Sequence, residues 1–205
     1  MERAVIITGG TILDYEWTAS LLNVGDTIIC ADSGYDHAVK MGAEPNVLLG
    51  DFDSIAHIPG NCDLIRYPER KDSTDTELAV DWAMARGFRE ILLLGAIGSR
   101  MDHTLANIFL LVKMLDSGVR GEMVNEHNRI AVTRTELVLD ESPSTLVSLV
   151  PFTDCLGVST DNLEYPLRNA MLKPGPSLGV SNIVVTRPAS VSLTSGTLVV
   201  IAARD

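Results

Sequence analysis

The chain has 205 residues and a mass of 22.1 kDa, room for one large domain or a medium domain with a small companion. Hydrophobic residues make up 46% and charged residues 21%, which excludes a disordered, collagenous or fibrous chain. With 16 Lys+Arg against 27 Asp+Glu the net charge is −11, so the overall field opposes nucleic acids and anionic membranes, and a phosphate ligand needs local neutralisation by metal ions or a few arginines.

The first residues, Met1-Glu2-Arg3 followed by Ala4-Val5-Ile6-Ile7, read as a first strand and not as a leader, because no long apolar segment follows a basic one. Short apolar runs predict strands over 4–8, 27–31, 47–50, 64–67, 90–94 and 121–125, with amphipathic helices over 16–22, 35–41, 75–86 and 104–116 between them. That alternation is the pattern of βαβ units around a mainly parallel sheet. After Asn125 the helical period vanishes. Strand-like runs at 129–133, 136–139, 146–151, 156–159, 183–185, 190–193 and 198–202 predict a smaller all-β sandwich, interrupted by a Pro/Gly-rich loop over 173–179. The reading is therefore an α/β domain over 1–125 and a β-sandwich over 126–205. The longest apolar run, over 91–98, is far short of the ~20 residues that cross a bilayer. Three cysteines without a CxxC pair argue against a disulfide framework and for a reducing cytoplasm.

Polar clusters follow successive strands, and in an open parallel sheet the loops at the carboxyl ends form the ligand crevice. Ala31-Asp32-Ser33-Gly34 follows the second strand and Gly50-Asp51-Phe52-Asp53-Ser54 the third. In extended backbone Asp51 and Asp53 project to one side, as a magnesium clamp requires; the alternative is a turn in which Asp53 or Ser54 caps a helix. Thr74-x-x-Glu77 forms a capping box. In Gly98-Ser99-Arg100-Met101-Asp102-His103, Arg100 suits bidentate phosphate binding, Asp102 is a competent N-cap, and His103 is either a general base or a first-turn residue. P-loop, dinucleotide, zinc-protease and nucleophile-elbow motifs are absent.

Taken in order, Ala-Asp-Ser-Gly (31–34), Gly-Asp-Phe-Asp-Ser (50–54), Asp-Ser-Thr-Asp-Thr-Glu (72–77) and Gly-Ala-Ile-Gly-Ser-Arg-Met-Asp-His-Thr-Leu-Ala-Asn-Ile (95–108) resemble the thiamine pyrophosphokinase family. Ser-Leu-Val-Pro (148–151), Thr-Asp-Asn-Leu-Glu-Tyr-Pro-Leu (160–167) and Gly-Val-Ser-Asn (179–182) extend the resemblance nearly end to end. It departs at Ser33, Ser99 and Asn162, where the family often has glycine. The resemblance implies transfer of a diphosphoryl group from ATP to thiamine, with AMP released. It implies Mg²⁺ on Asp51, Asp53 and Asp75, phosphates bordered by Arg100 and Asp102, and ATP against Asp32, Ser33, Gly34, Gly50 and Gly98. Asp72 falls on the thiamine side, and Tyr165, Ser181 and Asn182 reach thiamine from the second subunit of a homodimer with composite sites. Either Asp72 or Asp102 is the candidate acceptor of the alcohol proton. Two other readings are a pyrophosphokinase for another heterocyclic alcohol, such as a hydroxymethylpterin, and a non-catalytic nucleotide or thiamine diphosphate sensor.

Overall fold

Val5-Ile6-Ile7 and Ile91-Leu92-Leu93-Leu94 are almost completely withdrawn from solvent, as strands covered on both faces must be. They belong to β1 (Ala4–Ile7) and β5 (Glu90–Leu94) of a computed structural model that describes residues 3–52, 60, 62–68 and 72–204. The described residues form two units, Met1–Glu126 and His127–Asp205.

In the first unit these two strands are joined by α1 (Tyr15–Ala19), β2 (Thr27–Ala31), α2 (Gly34–Met41), β3 (Val47–Gly50), β4 (Asp63–Arg66), α3 (Asp75–Ala85), α4 (Met101–Asp116) and β6 (Arg120–Val124). The strands lie parallel in the order β4-β3-β2-β1-β5-β6. The chain first steps outward from β1 to β4, then returns to lay β5 on the other side of β1. A reversal of this kind opens a crevice at the carboxyl ends of the two strands that flank it. Val5, Ile7, Cys30, Leu48, Leu92 and Leu94 pack on one face of the sheet with Ala38 of α2 and Trp17 of α1. Alternation turns Ile6, Ile91, Leu93 and Met123 to the opposite face, where α3 and α4 pack.

Helix α1 is shorter than the 16–22 expected. Asp14 caps it by accepting the Trp17 N–H at 2.9 Å, but after Ala19 the bonds tighten to three-residue spacing, Leu21 N–H to Thr18 O and Leu22 N–H to Ala19 O, both at 3.1 Å. At the amino-terminal edge of β1 and β2, Arg3 grips Asp26 through Nη2–Oδ2 at 2.6 Å and Nε–Oδ1 at 3.0 Å. The Asn23 N–H adds a bond to the same carboxylate at 2.7 Å.

The second unit is two antiparallel sheets. One is ordered β12 (Asn182–Ile183), β9 (Leu146–Pro151), β14 (Leu198–Ala203) and β7 (Asn128–Thr133); the other is β11 (Ala170–Leu172), β10 (Cys155–Asp161), β13 (Ala189–Ser192) and β8 (Glu136–Leu139). Val147, Leu149, Leu198 and Val200 of the first meet Val158, Leu172, Ala189 and Val191 of the second in a single apolar core. Strand β11 was not expected: three residues are too short to show a period, and pairing with β10 across a register shift between Cys155 and Val158 defines it.

Burial of Asp26 works against ionisation, but the Arg3 and Asn23 bonds outweigh it and hold the carboxyl below its ordinary range. A carboxyl depressed in the folded state contributes stability above its unfolded pKa of about 3.9 and loses that contribution as the pH falls through the folded value. Asp26→Asn should therefore lower stability at neutral pH by about 1–3 kcal/mol. It should also flatten the acid limb of a urea-denaturation series between about pH 2 and 6. An unchanged acid slope would contradict this assignment.

Candidate active site

The β1–β5 ladder does not stop where the strands end. Thr8 N–H donates to Leu94 O at 2.9 Å, Gly10 N–H to Gly95 O at 2.7 Å and Thr11 N–H to Ile97 O at 2.9 Å, while the Thr8 hydroxyl bonds Gly95 O at 2.5 Å. Main chain is pressed against main chain here. A Cβ on Gly10 would collide with the Gly95 carbonyl, one on Gly95 (φ 63°) with the Thr8 carbonyl, and one on Gly34, where α2 begins, with the Ile7 carbonyl.

Above this convergence lies a cavity of about 420 Å³, within the usual range for a small-molecule site. Of the residues expected to bind nucleotide or metal or to border the phosphates, Asp32, Ser33, Asp75, Gly98 and Arg100 line it. Gly34, Gly50, Asp51 and Asp102 do not, nor does Asp72, expected on the thiamine side, although Gly50 ends β3 within 3.3 Å of the Asp32 Cα, measured from an ideal Cβ position. The wall also contains Thr8, Gly9, Gly10 and Thr11, which the sequence reading did not single out. Their signal was present as a Thr-Gly-Gly-Thr stretch directly after the first strand.

Helix α4 points its amino end at the cavity, and this 16-residue helix starts three residues earlier than expected. Arg100, not Asp102, is its N-cap, in extended conformation (φ −83°, ψ 98°) and without a side-chain capping bond; Asp102 stands within the first turn. The inner face of the helix explains why the loop before it is ordered. The Thr104 hydroxyl accepts the Gly98 N–H at 3.3 Å and stands 3.3 Å from Arg100 O, and the Asn107 amide donates to Ala96 O at 2.8 Å from a site only 6% exposed. Amides of the first turn that lack an intrahelical partner, with the positive end of the dipole, make such a helix start favourable for an anion. His103 also lines the cavity, from the first turn of the helix.

Arg100 and Asp102 form a two-point ion pair, Nη2–Oδ2 at 2.6 Å and Nε–Oδ1 at 3.2 Å, with both side chains about two-thirds exposed. The Arg100 hydrogen bond, followed by the His103 N–H and the guanidinium charge, overcomes desolvation and holds the Asp102 carboxyl at about 2; the Arg100 guanidinium rises in turn. So paired, Asp102 is a weak proton acceptor.

Asp75 opens α3 behind Thr74, whose hydroxyl accepts the Glu77 N–H at 3.2 Å. The reciprocal half of the expected capping box is replaced, because the Glu77 carboxylate binds Lys113 at 2.9 Å. Asp51 follows β3. Phe52 takes a left-handed φ of 66° to bury its ring under α2, with the Arg66 Cζ 5.4 Å from its centroid. The segment is therefore not extended, and the period-two argument that put the Asp51 and Asp53 carboxylates on one side does not apply; Asp53 itself lies outside the described residues. Among the described residues no group of three or more His, Cys, Asp or Glu could hold a metal ion. The chemistry of the expected donors, hard carboxylate oxygens with the shell completed by phosphates and water, fits Mg²⁺.

In the second unit the structure brings Tyr165, Ser181 and Asn182 together. Asn182 is buried, and its carboxamide accepts the N–H of Tyr165 at 3.0 Å and of Ile183 at 2.9 Å, and donates to Tyr165 O at 2.7 Å. It holds the Tyr165 segment in place, whereas the Tyr165 side chain is exposed. Ser181 adopts φ 60° and its N–H donates to the Ser148 hydroxyl at 3.1 Å.

Two family models match this chain, one described as thiamin pyrophosphokinase, catalytic domain, over residues 18–122, the other as thiamin pyrophosphokinase, vitamin B1 binding domain, over residues 133–198. A thiamine pyrophosphokinase of Bacillus subtilis is 29% identical over 187 residues, 86% of this chain and 87% of that protein. The crystal structure of thiamine pyrophosphokinase from Bacillus subtilis superposes with a TM-score of 0.89 at 25% identity, covering 100% of both chains. That of thiamin pyrophosphokinase from Geobacillus thermodenitrificans gives 0.85 at 26% identity, over 100% of this chain and 98% of that one.

Removing the guanidinium tests the electrostatics of the helix start. In Arg100→Ala the Asp102 carboxyl should titrate nearer the ordinary aspartate value of about 3.9, read by carbon-detected NMR of the side-chain carboxyl. A titration still centred near 2 would show that something other than Arg100 depresses it.

Proposed function

The chain belongs to the thiamine pyrophosphokinase family, and on that footing we propose that it transfers the diphosphoryl group of ATP to the hydroxyl of thiamine, giving thiamine diphosphate and AMP. The observation that carries this reading is the crevice at the β1–β5 switch point, where glycine main chain, a helix amino end, Arg100 and Asp75 share one wall. A triphosphate needs closely approachable amides and positive charge, and in a chain of net charge −11 both must be local.

In the reaction the thiamine oxygen attacks the β-phosphorus, the bond from that phosphorus to the α,β-bridging oxygen breaks, and AMP leaves with the electron pair. Positioning and charge neutralisation dominate such a transfer. The Gly9–Gly10 turn and the start of α4 receive the phosphate oxygens, with Asp32, Ser33, Gly34, Gly50 and Gly98 shaping the nucleotide side. Arg100 swings from Asp102 to the polyphosphate, an exchange that its exposure allows. Asp102, released from its partner, then recovers proton affinity, and it or Asp72 takes the alcohol proton. Asp51, Asp53 and Asp75 are the residues that would hold Mg²⁺, which when bound neutralises charge on the phosphate oxygens.

The first unit is then the catalytic, nucleotide-binding domain and the second the thiamine-binding and dimerisation domain. Two copies form composite sites, with the exposed Tyr165 side chain and Ser181 meeting thiamine and Asn182 holding them in position. The three cysteines are free, which supports a reducing, cytoplasmic setting. A hydroxymethylpterin acceptor is not favoured, since both family models name thiamine or vitamin B1.

Incubation with Mg-ATP and thiamine should yield AMP and thiamine diphosphate in equal amounts; ADP as the sole nucleotide product, or binding without turnover, would overturn the reading. Asp75→Asn should lower turnover by about 100-fold or more while leaving the melting temperature close to wild type. A near-normal rate would remove Asp75 from the site.

A further inference from the structure

The Gly9–Gly10 turn has more conformational freedom than any other dipeptide, yet it must present its main chain in one orientation if it receives phosphates. Three hydrogen bonds on Gly10 and Thr11 restrain it. Two are main-chain bonds to the loop after β5, already described. The third comes from a side chain: His37 of α2 lies behind the turn, off the cavity wall, with Nε2 2.8 Å from Gly10 O. Its Nδ1 is 2.9 Å from the Tyr15 hydroxyl, whose oxygen is 3.4 Å from the Lys40 ammonium; that ammonium also sits 5.4 Å from the Tyr15 ring centroid.

The direction of this chain is set from both ends. The Gly10 carbonyl can only accept, so Nε2 carries the proton. The ammonium can only donate, so the Tyr15 oxygen accepts from Lys40 and turns its own hydrogen toward Nδ1. Each link thus orients the next, from Lys40 on the surface through Tyr15 to the imidazole tautomer that holds the turn. The Gly10–Thr11 peptide plane is fixed on both edges, by His37 at its oxygen and by Ile97 O at its N–H.

We propose that His37, oriented by Tyr15, is a positioning residue for the polyphosphate: it locks the Gly9–Gly10 turn in the conformation that receives the phosphates of ATP. This rests on the nucleotide reading given above. Binding through a preset main chain stabilises ground and transition states alike, so the effect falls on nucleotide affinity more than on turnover.

The test compares His37→Phe, His37→Gln and Tyr15→Phe for Mg-ATP kinetics and for binding of α,β-methylene-ATP with Mg²⁺, each variant's melting temperature being recorded. Phenylalanine keeps the bulk and removes the donor, so the KM for ATP and the Kd for the analogue should rise about tenfold, with kcat within about twofold and the KM for thiamine unchanged. Glutamine still offers an N–H to Gly10 O and should restore both to within about threefold of wild type. Tyr15→Phe, which leaves the imidazole in place, should raise both by about two- to threefold and serves if His37→Phe does not fold. Wild-type nucleotide affinity in His37→Phe, or no recovery in His37→Gln, would overturn the proposal. Failure of the wild-type protein to bind the analogue would instead overturn the nucleotide reading on which it rests.

Discussion

Main chain meets main chain where β1, β2 and β5 deliver their carboxyl ends, and the molecule tolerates that contact because glycine occupies it. Gly10, Gly34 and Gly95 each have a carbonyl where a Cβ would stand. Side chains at these points would push the strands apart and close the crevice against the helix starts. The strand order reverses at this place, so the absence of side chains at these glycines leaves main chain as part of the crevice wall.

Electrostatics supplies the second condition. A chain with an excess of 11 negative charges cannot draw a polyphosphate by its general field, and among the described residues the positive features at the crevice are a helix dipole and Arg100 at its cap. Arg100 is engaged with Asp102 at the surface, so in the proposed reaction its capture by phosphate would exchange one anion for another and leave the Asp102 carboxylate to solvent. Largely exposed partners make the exchange inexpensive, because a solvated ion pair is worth little.

What the sequence disclosed follows from how each feature is encoded. Continuous apolar runs mark β1, β2, β3 and β5 because burial on both faces leaves no room for polar residues, and those strands agree with expectation within a residue. Charged side chains such as Asp75 and Arg100 stand out by their chemistry and line the cavity. The Thr8–Thr11 turn carries no ionisable group, and its part emerges only from the convergence of loops distant in sequence. Thr104 and Asn107 look like unremarkable polar positions on an amphipathic helix until the loop they hold is seen. Asn182 illustrates the reverse: a carboxamide can bind a ligand or imitate main chain with equal ease, and here it secures Tyr165. Phe52, whose left-handed backbone breaks the alternation assumed for Asp51 and Asp53, shows that a period-two argument holds only where the chain is truly extended.

A crystal structure with α,β-methylene-ATP and Mg²⁺ examines the central claim most directly. The account requires the phosphate oxygens to lie against the Gly9–Gly10 turn, within hydrogen-bonding distance of the Gly9 N–H and of main-chain amides at the start of α4, with Arg100 turned away from Asp102 toward them. Phosphates bound elsewhere on the first unit, with the Arg100–Asp102 pair intact and the glycine crevice unused, would contradict it.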